Sequence, residues 1–288
     1  MKKHIKKITS LIGRDFDVVW SFDFSNTIPL KAFSDKTVKI LTAADDSDDI
    51  SAVKAAETAD LILSVADELL NKYSGINIPT HNIGHGVAAY FLNDHISQQV
   101  NEKKQVGLSG NFLRKDIDHK TLLSIINEHQ DVVFNFWGSV DYAESNISAE
   151  KNTEVLGFIS DLKVRSNVVL HGQLAPEALA KAFKKVDCFL ICYDVEKDQS
   201  KGTNYHKILE YLASGKVVVS NYVSAYKHNP ELVLMPDERH NENLPILFRE
   251  VLHNLYANNS KEKQHNRVDF ARQFTYASQI KKIESLLA

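Results

Sequence analysis

Thiols are almost absent from this chain: its 288 residues contain two cysteines, Cys188 and Cys192. They lie four apart in an apolar run, on one face of any strand and too distant there to bridge, which excludes a disulfide framework. No histidine or further cysteine stands at ligand spacing from them, and His4, His81, His85 and His95 are scattered, so no zinc site is expected. Two buried free thiols fit a reducing compartment, the cytoplasm. Also missing is any apolar run near the roughly 18 residues of a membrane span. The basic start has no apolar segment behind it, as a secretory leader would. There is no G-x-G-x-x-G dinucleotide fingerprint and no G-x-S-x-G nucleophile elbow. Net charge is small, −3, and no basic patch interleaved with aromatics points to nucleic acid.

What remains is ordinary soluble composition, 43% hydrophobic and 25% charged, over a length that suits one large or two medium domains. The opening Met1–Ile8 segment reads as a basic amphipathic helix, either a solvated face or a contact with anionic lipid. Strands are expected at 17–22, 38–41, 60–64 and 78–83, with helices at 51–58 and 66–72 between them. A polar stretch over 93–104 reads as a linker or surface helix. Strands are expected again at 105–109, 132–137, 168–171, 188–193, 217–220 and 232–235. Helices are expected near 118–128, 151–160, 175–185, 204–214, 241–257 and 260–287, with a polar loop over 138–148. Alternation of this kind predicts parallel α/β sheets.

The most informative stretch is 204–220. Ile208, Leu209, Leu212 and Ala213 form an apolar helix stripe, Gly215 stops the helix, and Val217, Val218 and Val219 enter a buried strand. Lys207 and Glu210 share a face of that helix, either as an exposed i,i+3 ion pair or as a grip on an anionic, hydroxylated ligand. Thr203 or Asn204 could cap the helix, whose free N–H groups would suit phosphate. Gly107-x-x-Gly110 after a strand could cradle phosphate or make a tight turn, with Arg114 and Lys115 close behind. Asp45 and Asp46 end a strand on the edge a ligand cleft would use, or belong to a surface acidic cluster. His85 lies on a loop between the halves.

The segment Tyr205-His206-Lys207-Ile208-Leu209-Glu210-Tyr211-Leu212-Ala213-Ser214-Gly215-Lys216-Val217-Val218-Val219 resembles the donor-binding signature P-x-K-x-x-E-Y-L-A-x-G-K-P-V-V of GT-B glycosyltransferases. Tyr205 and Val217 stand where that pattern has prolines. Other segments resemble the family in order: Glu57 to Ser64, Ile83-Gly84-His85-Gly86-Val87, Gly107 to Asn111, Asn167 to Gly172, Val186 to Leu190, and Ala271 to Tyr276. Together they cover roughly residues 55–285.

The resemblance implies two Rossmann-like parallel-sheet domains facing across a cleft. Residues 1–100 would form an N-terminal acceptor-side domain that the chain enters midway and that is therefore incomplete. Residues 101–265 would form the nucleotide-sugar domain, and 266–288 a helix crossing back. The implied reaction moves a sugar from a nucleoside-diphosphate sugar to a hydroxyl of a glycan or lipid-linked acceptor, in bacterial surface polysaccharide synthesis, without metal or other cofactor. Glu210 would accept the ribose hydroxyls, and Thr203, Asn204, Lys207, Lys115 and Gly110 would serve the diphosphate. Asp45 would be the base or a sugar contact, and His85 a donor or cleft contact. Many retaining members carry a further Glu eight residues before the ribose Glu; that position is Gly202 here. Two rivals follow from these departures: a non-catalytic nucleotide-binding partner, and a nucleotide-sugar epimerase on the same fold.

Overall fold

The computed structural model describes residues 2–23, 27–44, 50–142, 152–198 and 200–287. The chain divides into two compact units, Met1–Gly84 and His85–Ala288. The first runs α1 (Lys2–Ile12), β1 (Val18–Ser21), β2 (Val38–Ala43), α2 (Ile50–Ala56), β3 (Leu61–Ser64), α3 (Asp67–Leu70) and β4 (Thr80–Asn82). Its sheet has the order β1-β2-β3-β4, every neighbouring pair parallel. Leu41, Ile62, Ala55 and Ala56 share its core. The uninterrupted burial of β3 is what a parallel strand covered on both faces requires.

The second unit opens with an irregular lead-in and then β5 (Gln105–Ser109), α4 (His119–Glu128), β6 (Val133–Trp137), α5 (Thr153–Lys163), β7 (Val168–Gly172) and α6 (Pro176–Phe183). It continues with β8 (Cys188–Ile191), α7 (His206–Ala213), β9 (Val217–Ser220), β10 (Val233–Leu234), α8 (Leu244–His253), α9 (Leu255–Asn258), α10 (Lys261–Arg272) and α11 (Tyr276–Leu287). The sheet order is β10-β9-β8-β5-β6-β7, again parallel throughout. The chain winds outward from β5 in one direction, then restarts at β8 and winds outward in the other. The carboxyl ends of β5 and β8 thus flank a topological switch point, where loops diverge and leave room for a ligand.

The core of this unit is mainly aliphatic, with a set of aromatic rings packed within it. Phe134, Phe136, Phe183, Phe189 and Phe248 are fully buried, each contributing about 1.5–3 kcal/mol by leaving water. The Tyr211 ring stacks on Phe189 at 3.9 Å between centroids. Two aspartates outside the core do matching work. Asp60, one residue before β3, accepts the N–H of Lys39 in β2 at 2.8 Å. Asp187, one residue before β8, accepts the N–H of Gln105 at the start of β5 at 2.7 Å. Each supplies an acceptor to the first N–H groups of the adjacent strand, which explains an Asp just before each of two buried strands.

The helices expected at 241–257 and 260–287 are each divided. The second break has a clear cause: Val87 N–H donates to Phe274 O at 2.9 Å, and Tyr276 N–H donates to Val87 O at 3.1 Å. A lead-in strand segment takes the bonds that helix continuation would need. The stretch 93–104 is irregular rather than helical and is tied down by Asn93 N–H to Ala213 O and by Asn101 to Asp187. Both cysteines are free and buried, and burial raises both thiols.

Candidate functional site

Lys207 and Glu210 sit on α7, whose first turn follows the loop that leaves β8. Its apolar stripe is buried as expected, and Tyr211 is buried as well. Only His206, Lys207 and Glu210 remain outside the buried set of this helix. Gly215 lies just past the end with φ +82, and its N–H returns to Leu212 O at 2.9 Å, the left-handed stop the sequence calls for.

The pair does not close an ion pair. Lys207 Nζ turns away to donate to Ser109 O at 2.7 Å and Tyr193 Oη at 2.5 Å. Ser109 ends β5 and Tyr193 follows β8, so the ammonium spans the switch point. Gly110 comes next after Ser109. Its φ is +143, and a β-carbon there would lie 2.7 Å from Lys207 Nζ. Ser109 is itself held from below: Tyr211 Oη accepts its N–H at 2.8 Å and meets its Oγ at 2.9 Å. Lys207, Ser109 and Tyr193 also line a pocket with Leu108, Ile191 and Cys192.

Glu210 faces histidines instead. Its Oε1 is 3.8 Å from His206 Nδ1, and the His206 ring meets His85 edge-on at 5.4 Å. His85 Nε2 donates to Asn204 O at 3.4 Å. Burial raises the Glu210 carboxyl to about 7, against the pull of Lys207. Burial, then the neighbouring His206, lowers His85 to about 4 despite the Asn204 carbonyl. Burial also lowers His206, aided by Lys207 and opposed by a backbone bond to Gly86. Near neutral pH the two imidazoles are therefore uncharged while the Glu210 carboxyl is divided between its acid and ionised forms.

Several expected residues stand differently. Tyr205, not Thr203 or Asn204, is the N-cap of α7, and its side chain makes no cap bond. Thr203 O accepts Ala225 N–H at 3.0 Å, which commits that residue to the neighbouring loop. Lys115 is exposed. The basic residue brought to the site is Arg114, whose guanidinium carbon lies 5.3 Å from the Tyr193 ring centroid. Asp45 lies outside the described residues.

Arg114 is anchored by acids. Its Nε donates to Asp116 at 2.8 Å, its Nη2 also bonds Asp116, and Nη2 reaches Asp198 at 3.3 Å. Asp198 further accepts Ser200 Oγ, Gly202 N–H and Tyr205 Oη at 2.5, 3.0 and 2.9 Å. Burial pushes its carboxyl up, and these bonds outweigh burial and hold it below its ordinary value. Gly202, the position of the absent carboxylate, has φ +66, and a β-carbon there would meet Tyr222 O at 2.7 Å. Backbone geometry, not only sequence, keeps a side chain out.

Tyr193, Arg114, Asp198 and His206 are the members of this constellation that sequence reading passes over or undervalues. Tyr193 has a signal in hindsight, since it closes an apolar strand at the switch point. Asp198 has none, because three of its partners lie in its own irregular loop and the fourth, Arg114, is 84 positions away.

No protein-family model and no curated protein matches the chain by sequence. Comparison of folds is more informative. Sucrose-phosphate synthase from Thermosynechococcus elongatus superposes with a TM-score of 0.71 at 12% identity, over 99% of this chain and 76% of that one. HepE of Anabaena, in complex with UDP and glucose, superposes at 0.70 with 13% identity, over 99% and 81%. A glycosyltransferase from Rickettsia africae gives 0.67 at 13% identity, over 99% and 79%. The fold is accordingly the GT-B type of two parallel-sheet α/β units that the sequence resemblance implies.

Proposed function

We propose that this chain is a glycosyltransferase that moves a sugar from a nucleoside-diphosphate sugar to a hydroxyl of a glycan or lipid-linked acceptor. The observation that carries the reading is Lys207 bridging the carboxyl ends of two central strands, one helical turn from the half-buried Glu210 carboxyl. Glu210 would accept the ribose hydroxyls, each a donor suited to a carboxylate. Lys207, with Arg114 beside it, would neutralise the leaving diphosphate. The first-turn N–H groups of α7, unused by any cap side chain, would add donors. Gly110 would let phosphate approach the backbone. With these cations present, transfer would proceed without a metal or other cofactor. His85 and Asn204 would line the donor side, and Lys115 would act only at long range.

Setting and acceptor are proposed with it: surface polysaccharide assembly, in the cytoplasm. Among the described residues no helix is long and apolar enough to cross a membrane. On α1, Ile8, Leu11 and Ile12 are exposed beside a run of lysines, which fits peripheral contact with anionic lipid. Co-sedimentation with anionic and neutral vesicles, on wild type and Leu11→Asp, tests that contact. Gly202 favours a second reading, a nucleotide-binding partner without turnover.

The primary test is a thermal shift with UDP, GDP, ADP, dTDP and CMP on wild type and Glu210→Ala. A ligand at 100 dissociation constants stabilises by about 2.7 kcal/mol. Stabilisation by one diphosphate, abolished in Glu210→Ala, supports the donor site. Absence of any shift defeats it, and binding without sugar release or transfer selects the second reading.

A further inference from the structure

Tyr193 is unusually well fixed for a residue beyond the end of a strand. Its N–H donates to Asn221 Oδ1 at 2.9 Å, and its carbonyl accepts Asn241 Nδ2 at 2.9 Å. It makes an antiparallel bridge with Ile117 and packs its ring 5.1 Å from that of Tyr205. Only 8% of it is exposed. The loops after β8, β9 and β10 and the segment before α4 thus all fix one ring at the switch point.

That ring touches both cations of the site. Its hydroxyl takes a hydrogen bond from Lys207 Nζ at 2.5 Å. Nζ is 4.9 Å from the ring centroid, so it stands at the hydroxyl end and not over the centre. The Arg114 guanidinium packs against the same ring at 5.3 Å. The two cations differ in what else holds them. Arg114 has two carboxylates. Lys207 donates to two neutral acceptors, the Ser109 carbonyl and the Tyr193 hydroxyl, with the Glu210 carboxyl a nearby charge to which it does not pair. An ammonium has three donors, and with two spent on fixed neutral acceptors the third has a set direction. A flexible four-carbon stem loses that direction when either acceptor is removed.

We propose that Tyr193 is a positioning residue that acts through Lys207, fixing the ammonium relative to Arg114 so that one diphosphate group meets both. The inference rests on the donor-site reading above and adds to it a residue that touches neither nucleotide nor sugar.

The test is a double-mutant cycle by calorimetric titration of the full chain: wild type, Tyr193→Phe, Lys207→Met and both together. The ligands are the diphosphates of the panel above, their nucleosides, and inorganic pyrophosphate. Tyr193→Phe keeps the ring under Arg114 and removes only the hydroxyl. It should weaken diphosphate and pyrophosphate binding by about tenfold, the value of a hydrogen bond to a charged group, and leave the nucleosides unchanged. In the Lys207→Met background the same change should have no effect, a signature a merely structural tyrosine would not give. Equal losses in both backgrounds, equal losses for nucleoside and diphosphate, or no loss at all would overturn the inference. Failure of the underlying reading looks different. Pyrophosphate binding that depends on Tyr193, with no nucleotide preferred over it, removes the nucleotide-sugar donor and leaves the positioning role intact. Wild-type chain that binds neither removes both.

Discussion

The ammonium of Lys207 stands 2.7 Å from the point a β-carbon on Gly110 would occupy. The approach is too close for any side chain, and what would yield is the far end of a lysine, not backbone. Gly110→Ala should therefore displace Lys207 while the sheet survives. Residue 110 would also hold φ +143, a region costing about 1–3 kcal/mol for an alanine. The expected result is a folded protein with a modestly lower melting temperature and strongly reduced diphosphate affinity, measured by thermal denaturation and titration.

Glu210 makes the protein's stability depend on pH in an uncommon direction. Its folded carboxyl titrates near 7, above its ordinary value of 4.5. Between those values the native state binds more protons than the unfolded chain, so this group lowers stability as pH rises, an effect complete by about pH 8. Glu210→Gln should stabilise the protein at pH 8 by on the order of 2 kcal/mol and leave it unchanged below about pH 4.5. Urea denaturation at the two pH values checks this.

The same carboxyl governs ligand affinity. Ribose hydroxyls donate best to the ionised form, so diphosphate binding should strengthen from about pH 6 to about pH 8 and release a proton. Titration in buffers of different ionisation enthalpy reads that proton directly. In Glu210→Gln both should fall to the part owed to the ligand's own terminal phosphate, whose last proton titrates at about pH 6.

Arg114 and Lys115 are adjacent in sequence and unlike in consequence. Arg114→Met leaves Asp116 and Asp198, 9% and 1% exposed at their side chains, without their cation. That should cost about 2 kcal/mol of stability together with diphosphate affinity. Lys115→Met, at an exposed position, should change stability by no more than about 0.5 kcal/mol. Denaturant midpoints and binding constants for the pair separate the two residues.

Tyr211→Phe should keep the ring stacked on Phe189 while removing the acceptor for the Ser109 N–H. A buried donor without its partner costs about 1–3 kcal/mol. The melting temperature reports the loss.

Much of this architecture is legible in the sequence because it follows from repeating patterns. Runs such as Leu61-Ile62-Leu63 and Val217-Val218-Val219 can only be strands covered on both faces, and both are fully buried. Gly215 announces the end of α7 by itself. The Lys207 and Glu210 face is visible from their spacing, but its partners are not. Spacing on a helix indicates neighbours within three or four residues, and Lys207 bonds instead to Ser109 and Tyr193, 98 and 14 positions away. Spacing likewise does not show that Arg114, and not Lys115, packs against Tyr193. Arg114 is held there by Asp116 and Asp198, and the second of these is 84 positions distant. The helix cap fails on local grounds: Thr203 and Asn204 have suitable side chains, but the Thr203 carbonyl is bonded to the loop at Ala225, and the first helical turn begins after Tyr205.

Gly202 bears on how this loop could change over generations. A carboxylate at that position would meet both a left-handed backbone, φ +66, and the Tyr222 carbonyl 2.7 Å from its β-carbon, so the backbone would have to shift to admit it. The peptide path from Asp198 to Tyr205 would have to be redrawn first, and Asp198 secures that path through Ser200, Gly202 and Tyr205 together. A single replacement at position 202 would therefore have to move backbone that those three bonds hold in place.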